Sequence, residues 1–144
     1  MIVKQIKIKY LRDIEKIKGL TVGDWVDLRT AEDVTLDKGE FRLIPLGIAM
    51  QLPQNYEALM IPRSSTFKKY GIIQANSVGL IDESYCGNED EWKFPAYATR
   101  LITIPKNTRI CQFRIIEHQP MLLLEEVDDL GNNNRGGFGS TGEK

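Results

Sequence analysis

Near the N-terminus, apolar Ile6, Ile8 and Tyr10 alternate with Lys7 and Lys9. A period of two places apolar side chains on one face of a strand and charge on the other, so this segment predicts a half-buried strand. Met1-Ile2-Val3-Lys4 begins in the same rhythm. Apolar runs of strand length recur down the chain, at residues 25–28, 41–50, 57–61, 72–75, 78–81, 92–98, 110–116 and 122–127. Turn formers separate them, among them Asp37-Lys38-Gly39, Pro53-Gln54-Asn55, Cys86-Gly87-Asn88 and Pro105-Lys106-Asn107. Many short strands at close spacing predict an all-β sandwich or jelly roll. One brief helix is expected at residues 65–70, with Ser64 or Ser65 as its cap.

The pattern changes at Asp128. Residues 128–144 are polar and carry Gly131, Gly136, Gly137, Gly139 and Gly142. Such a stretch buries too little apolar surface to order by itself. Phe138 stands alone in it, framed by glycines and followed by Ser140 and Thr141. The expected organisation is one β domain over residues 1–127 and a flexible C-terminal lid arm over 128–144, which orders over a ligand.

Composition narrows the function. A chain of 144 residues suits a single domain. Its formal net charge is −1, so no general attraction to nucleic acid or to an anionic membrane is expected. A bound polyanion must be gripped by a local site. No apolar run is long enough to span a bilayer, and the N-terminus lacks the pattern of a signal peptide. Cys86 and Cys111 have no metal-ligand spacing and read as reduced thiols of a cytoplasmic protein. His118 is the single histidine and has no metal-partner pattern.

Four segments carry chemistry. Pro62-Arg63-Ser64-Ser65 follows a strand and opens the helix; helix-start N–H groups, hydroxyls and a guanidinium fork suit an anion. Asn76-Ser77-Val78-Gly79-Leu80-Ile81-Asp82-Glu83-Ser84-Tyr85 reads as a hairpin strand whose backbone can pair with a base. Gly79 permits close approach there, and Asp82 stands where it can deprotonate a water. In the strand that opens with Arg109-Ile110-Cys111-Gln112, Cys111, Phe113 and Ile115 face one way and Gln112 and Arg114 the other. Arg135-Gly136-Gly137-Phe138-Gly139-Ser140-Thr141-Gly142 joins a cation, pliant backbone, a stacking ring and two hydroxyls, which suits a phosphate cradle.

In this order, and preceded by Gly23-Asp24-Trp25-Val26-Asp27-Leu28-Arg29-Thr30-Ala31, these segments resemble the five ordered motifs of the trimeric dUTPase family. The resemblance runs from about Gly23 to Gly142 and is nearest to the short enzymes of Gram-positive bacteria and their phages. It implies a jelly roll of the β-clip type, assembled as a homotrimer with sites at subunit interfaces. The implied reaction is hydrolysis of dUTP to dUMP and pyrophosphate with Mg2+, which keeps uracil out of DNA and supplies dUMP for thymidylate synthesis. Carried over by position, Asp82 is the base and Tyr85 lies under the deoxyribose, excluding a 2′-hydroxyl. Asn76 with Gly79, Leu80 and Ile81 reads uracil. Arg63, Ser64, Ser65 and Gln112 hold phosphates, and Asp27 helps place the magnesium through water. Phe138 and Gly139 cover the uracil, with Arg135, Ser140 and Thr141 near the γ-phosphate.

The chain also departs from the family. Trp25-Val26 precedes Asp27 where Gly-x is usual, and Cys86 follows Tyr85 where arginine is usual. Arg135 lies three residues before Phe138, whereas the family usually has five. Glu89-Asp90-Glu91, Trp92 and Phe94 have no obvious counterpart, so these aromatics compete with Phe138 for the lid role. Two other readings share the fold. A dCTP deaminase needs a glutamate on the following apolar strand. A phage-type regulatory dUTPase binds a repressor protein, for which residues 89–91 offer the candidate surface.

Overall fold

The computed structural model describes residues 2–19 and 23–139. Its strands are β1 (Lys7–Tyr10), β2 (Val26–Arg29), β3 (Val34–Leu36), β4 (Phe41–Pro45), β5 (Ile48–Gln51), β6 (Tyr56–Pro62), β7 (Ile72–Gln74), β8 (Gly79–Ile81), β9 (Lys93–Ala98), β10 (Ile102–Ile104) and β11 (Arg109–Glu117). The helix is α1 (Thr66–Tyr70). Strand pairing is antiparallel, in sheets ordered β2-β11-β6-β8, β4-β9-β7, β1-β5 and β10-β3.

Alternation of side chains builds the core. In β9, Phe94, Ala96 and Ala98 are buried while Lys93 and Tyr97 are exposed. Trp92, just before it, has no exposed surface and meets Phe113 of β11 edge-on, centroids 5.2 Å apart at 75°. A T-shaped pair of this kind adds to the stabilisation from burial. Leu28, Leu36, Ile44, Ile48, Met60 and Ile104 complete the same cluster from other strands.

Three strand expectations need correction. The apolar run 41–50 is two strands, because the chain turns at Gly47 with φ +76°, a conformation that L side chains rarely adopt. A Cβ there would lie 3.0 Å from Ala31 Cβ and 3.2 Å from Ile14 Cδ1. Strands β3 and β10 escape the sequence pattern; each is three residues long and pairs with the other. Residues 122–127 do not form a strand, nor do residues 2–4. Met121, Leu123 and Leu124 are more than nine-tenths exposed. An apolar run becomes a strand only when an unpaired sheet edge receives its N–H and C=O groups, and within this chain none receives these.

The short helix forms where expected, with Ser65 at its N-cap but without a side-chain capping bond. The neighbouring hydroxyl anchors the turn instead: buried Thr66 donates from Oγ1 to the Ile110 carbonyl at 2.6 Å and accepts from the Arg63 N–H at 3.1 Å. The turn after β6 is thereby fastened to β11.

Candidate active site

The sheet β2-β11-β6-β8 positions most of the residues singled out in the sequence. Its register sets Gln112 opposite Asp27 on one side and Ile61 on the other. Arg63 follows at the end of β6. Asp27 therefore meets two cations: its Oδ1 is 3.3 Å from Arg63 Nε and its Oδ2 is 3.2 Å from Arg109 Nη1. Gln112 Nε2 donates to the Pro62 carbonyl at 3.3 Å. Asp24, Asp27, Arg63, Ser64 and Gln112 line one cleft of about 330 Å³. The Arg63 guanidinium, a hydroxyl and a side-chain amide there can take phosphate oxygens. Ser65 does not line that cleft; it stands at the N-cap of α1.

A second cluster lies beyond β8, an edge strand of the same sheet. Asp82 follows it immediately and is exposed. Its Oδ2 accepts from the Ser84 N–H at 2.9 Å and from the Ser84 hydroxyl. The Ser84 hydroxyl first, then its N–H and the charge of His118, hold the Asp82 carboxyl below the usual carboxylate range. The group is ionised at neutral pH, as a proton acceptor must be. Glu83 is turned away and accepts from the Asn55 N–H at 2.7 Å.

Tyr85 is fixed from both ends. Its N–H reaches the Asp82 carbonyl at 3.0 Å, and its hydroxyl donates to the Glu91 carbonyl at 2.8 Å. Partial burial, then the charges of Asp90 and Glu91, push the phenol's pKa up, so the ring stays neutral. The Glu91 carboxylate in turn accepts from Arg12 at 3.0 and 3.2 Å and from the Gly47 N–H at 2.9 Å. Leu80, Ile81, Asp82, Tyr85 and Glu91 line a cleft of about 520 Å³. Asn76 lies exposed before β8, its Oδ1 accepting from Gln74 Nε2 at 3.0 Å.

The two clefts do not merge within the chain. Ile81 pairs with Ala58, and Arg63 stands five residues farther along the chain. At ~3.4 Å per residue, roughly 17 Å of strand separates the clusters. The C-terminal candidates join neither: Arg135, Phe138 and Gly139 are exposed and line neither cleft. Ser140 and Thr141 lie outside the described residues. Trp92 and Phe94 are corrected as lid candidates, since both are wholly buried in the core. Of the acidic insert, Glu91 is tied inward and serves as an anchor.

Sequence reasoning passed over Arg109, Ser84 and the Arg12–Glu91 pair. Arg109 was legible only as the first residue of a strand; a shift of register between Arg109 and Cys111 turns it to Asp27. Arg12 and Glu91 are 79 residues apart, and no local signal joins them. Among the described residues no group of three or more His, Cys, Asp or Glu could hold a metal ion unaided. Nor is any helix among them long and apolar enough to cross a membrane.

Comparison with known proteins bears on this geometry. The dUTPase family model matches residues 25–142. The SPbeta prophage-derived deoxyuridine 5'-triphosphate nucleotidohydrolase YosS of Bacillus subtilis (strain 168) is 59% identical over 141 residues, covering 97% of this chain and 99% of that protein. The dUTPase of Staphylococcus bacteriophage 80alpha, solved with dUPNHPP, superposes with a TM-score of 0.77 at 21% identity, over 96% of this chain and 99% of the other. A dUTPase of phage phi11 of S. aureus, solved to show the coordination of a structural Mg(II) ion, gives 0.73 at 16% identity, over 88% and 98%.

Proposed function

The chain belongs to the dUTPase family and hydrolyses dUTP, and from that premise we propose that each active site is assembled between subunits of a homotrimer. The carrying observation is the separation of the two clefts. An attacking water must sit within about 3 Å of both its base and the phosphorus, yet Asp82 follows Ile81, whose partner Ala58 stands roughly 17 Å of extended chain from Arg63. A second copy closes that gap by bringing its own Arg63 cleft to the first copy's Asp82. The exposed apolar run from Met121 to Leu124 supports the same reading, because a neighbouring subunit would cover it.

In this site Asp82 accepts the proton of a water whose oxygen attacks the α-phosphorus. The α–β anhydride bond breaks, and pyrophosphate leaves with the bonding electrons; dUMP remains. Asn76 and the edge of Gly79, Leu80 and Ile81 hold uracil, and Tyr85 sits under the deoxyribose. Arg63, Ser64, Ser65 and Gln112 hold phosphates. The arm beyond the last strand, with Arg135, Phe138, Gly139, Ser140 and Thr141, closes over the nucleotide. The protein acts in the cytoplasm, where it removes dUTP from the pool and supplies dUMP.

The residues present fit Mg2+. Asp24 and Asp27 face one cleft with hard oxygen donors, and this ion is usually held by one or two carboxylates, waters and substrate phosphates. Both Asp27 oxygens already face arginines, which suits a hold through water rather than a direct bond. When bound, the ion neutralises charge on the triphosphate. Neither competing reading gains support: Glu89 and Glu91 lie outside the strands, and Glu91 is tied to Arg12.

Mixing two inactive variants tests the assembly. Asp82→Asn and Arg63→Ala chains, unfolded together and refolded, should recover about a quarter of wild-type activity, the chance that a shared site draws both intact residues. No recovery from mixed trimers would show that each site belongs to one chain.

A further inference from the structure

We propose that Gln74 sets the preference for uracil over cytosine, by fixing which end of the Asn76 amide faces the nucleobase. This rests on the reading of the Asn76–Ile81 segment as the base site.

Gln74 ends β7, in the sheet β4-β9-β7, and is 3% exposed. Its Nε2 lies 3.1 Å from the Met60 carbonyl of β6, in the other large sheet, and 3.0 Å from Asn76 Oδ1. A backbone carbonyl only accepts, so the end of Gln74 that faces Met60 is its amino group. That group carries two N–H bonds. The second is aimed at Asn76, so the atom it meets is the acceptor, Oδ1. The Asn76 amino group is consequently turned outward, from an exposed residue beside the edge strand.

The surrounding backbone holds this arrangement. The Ser77 N–H returns to the Gln74 carbonyl at 3.0 Å, and Ser77 itself takes φ +63°. Gly79 leaves the space that Gln74 uses: a Cβ there would lie 3.1 Å from Gln74 Nε2 and 3.3 Å from Met60 Cε. Gln74 Oε1 is buried with no partner among the described residues. An unpaired buried carbonyl is destabilising, so an apolar side chain of similar size would serve the core better. What the glutamine alone provides is its amino group, bonded to Met60 and to Asn76.

Uracil and cytosine differ at C4, where uracil has a carbonyl acceptor and cytosine an amino donor, and at N3, where the pattern is reversed; the Asn76 amide is here set against C4. An unrestrained asparagine can turn its amide over and suit either. Held by Gln74, Asn76 offers only N–H, which pairs with the uracil carbonyl and opposes the cytosine amine. A polar site built to one pattern discriminates against the other because the wrong partner leaves buried groups unpaired.

The test measures kcat/KM for dUTP and for dCTP, with thermal unfolding, in Gln74→Met, Asn76→Asp and Asn76→Ala full-length protein. Gln74→Met releases the Asn76 amide, and the dUTP:dCTP ratio should fall about tenfold, the worth of one hydrogen bond. Asn76→Asp replaces the outward amino group by oxygen at an exposed position, so the ratio should fall at least as far with the fold unchanged. If Gln74→Met does not fold, Asn76→Asp still decides the orientation, and Gln74→Leu, which also lacks the amino group, takes its place in deciding the role of Gln74. An unchanged ratio in Asn76→Asp overturns the proposed orientation, and an unchanged ratio in folded Gln74→Met overturns the role of Gln74. Asn76→Ala should raise KM for dUTP; an unchanged KM would instead sink the base-site reading, and this inference with it.

Discussion

The two clefts are built by different means. The arginine cleft is a product of sheet register: Asp27, Gln112 and the end of β6 come from strands distant in sequence and become neighbours only through pairing. The Asp82 cleft is held largely by sequence-local bonds, Ser84 to Asp82 and the Tyr85 N–H to the Asp82 carbonyl. Its longer-range ties are made by neighbours of the base, through Glu83 to Asn55 and Tyr85 to Glu91. Charges in the first cleft are neutralised by one another. In the second, the carboxylate is held ionised chiefly by the hydroxyl and N–H of Ser84, with the charge of His118 a lesser aid. On the function proposed above, the first cleft receives the phosphates and the second accepts the proton.

Removing the proton acceptor should break the comparison most severely. Asp82→Asn keeps shape and hydrogen-bonding reach but loses the base, so kcat should fall by ~10²–10⁴-fold with binding of dUTP retained. Single-turnover kinetics beside equilibrium titration separates the two effects; a variant with wild-type kcat refutes the role.

Asp27→Asn addresses the other cleft. The pair to Arg63 and Arg109 is about one-third exposed at the aspartate, so unfolding stability should change by no more than about 1 kcal/mol. Apparent Mg2+ affinity in the presence of dUTP should instead weaken by roughly 10–100-fold, as for groups that orient metal-bound water. A large stability loss with unchanged Mg2+ dependence would make Asp27 a structural residue.

The smallest effect is expected from Ser84→Ala. In the native chain the Ser84 hydroxyl lowers the Asp82 pKa, so the ionised form persists as pH falls below the ordinary carboxylate value. Without the hydroxyl that pKa rises, and the acid limb of the kcat/KM profile should move to higher pH, while activity at neutral pH changes little. A limb that stays in place would show that another group controls it.

Local pattern was enough to reveal the β architecture, the short helix and the turn from Asp82 to Tyr85. Period-two burial and glycine-bearing turns are properties of a few consecutive residues, and the Ser84 bonds to Asp82 span two positions. The same pattern misled at residues 122–127, because a strand exists only where an edge receives it. The fate of Trp92 also escaped the sequence: an aromatic beside acidic residues can line a lid or fill a core, and only its packing on Phe113 decides. Tertiary structure alone joined Arg12 to Glu91, turned Arg109 and Arg63 onto one carboxylate, and set the two clefts apart along β6. Those relations depend on register and on chain crossings between distant strands, where a slip of one residue reverses every side chain.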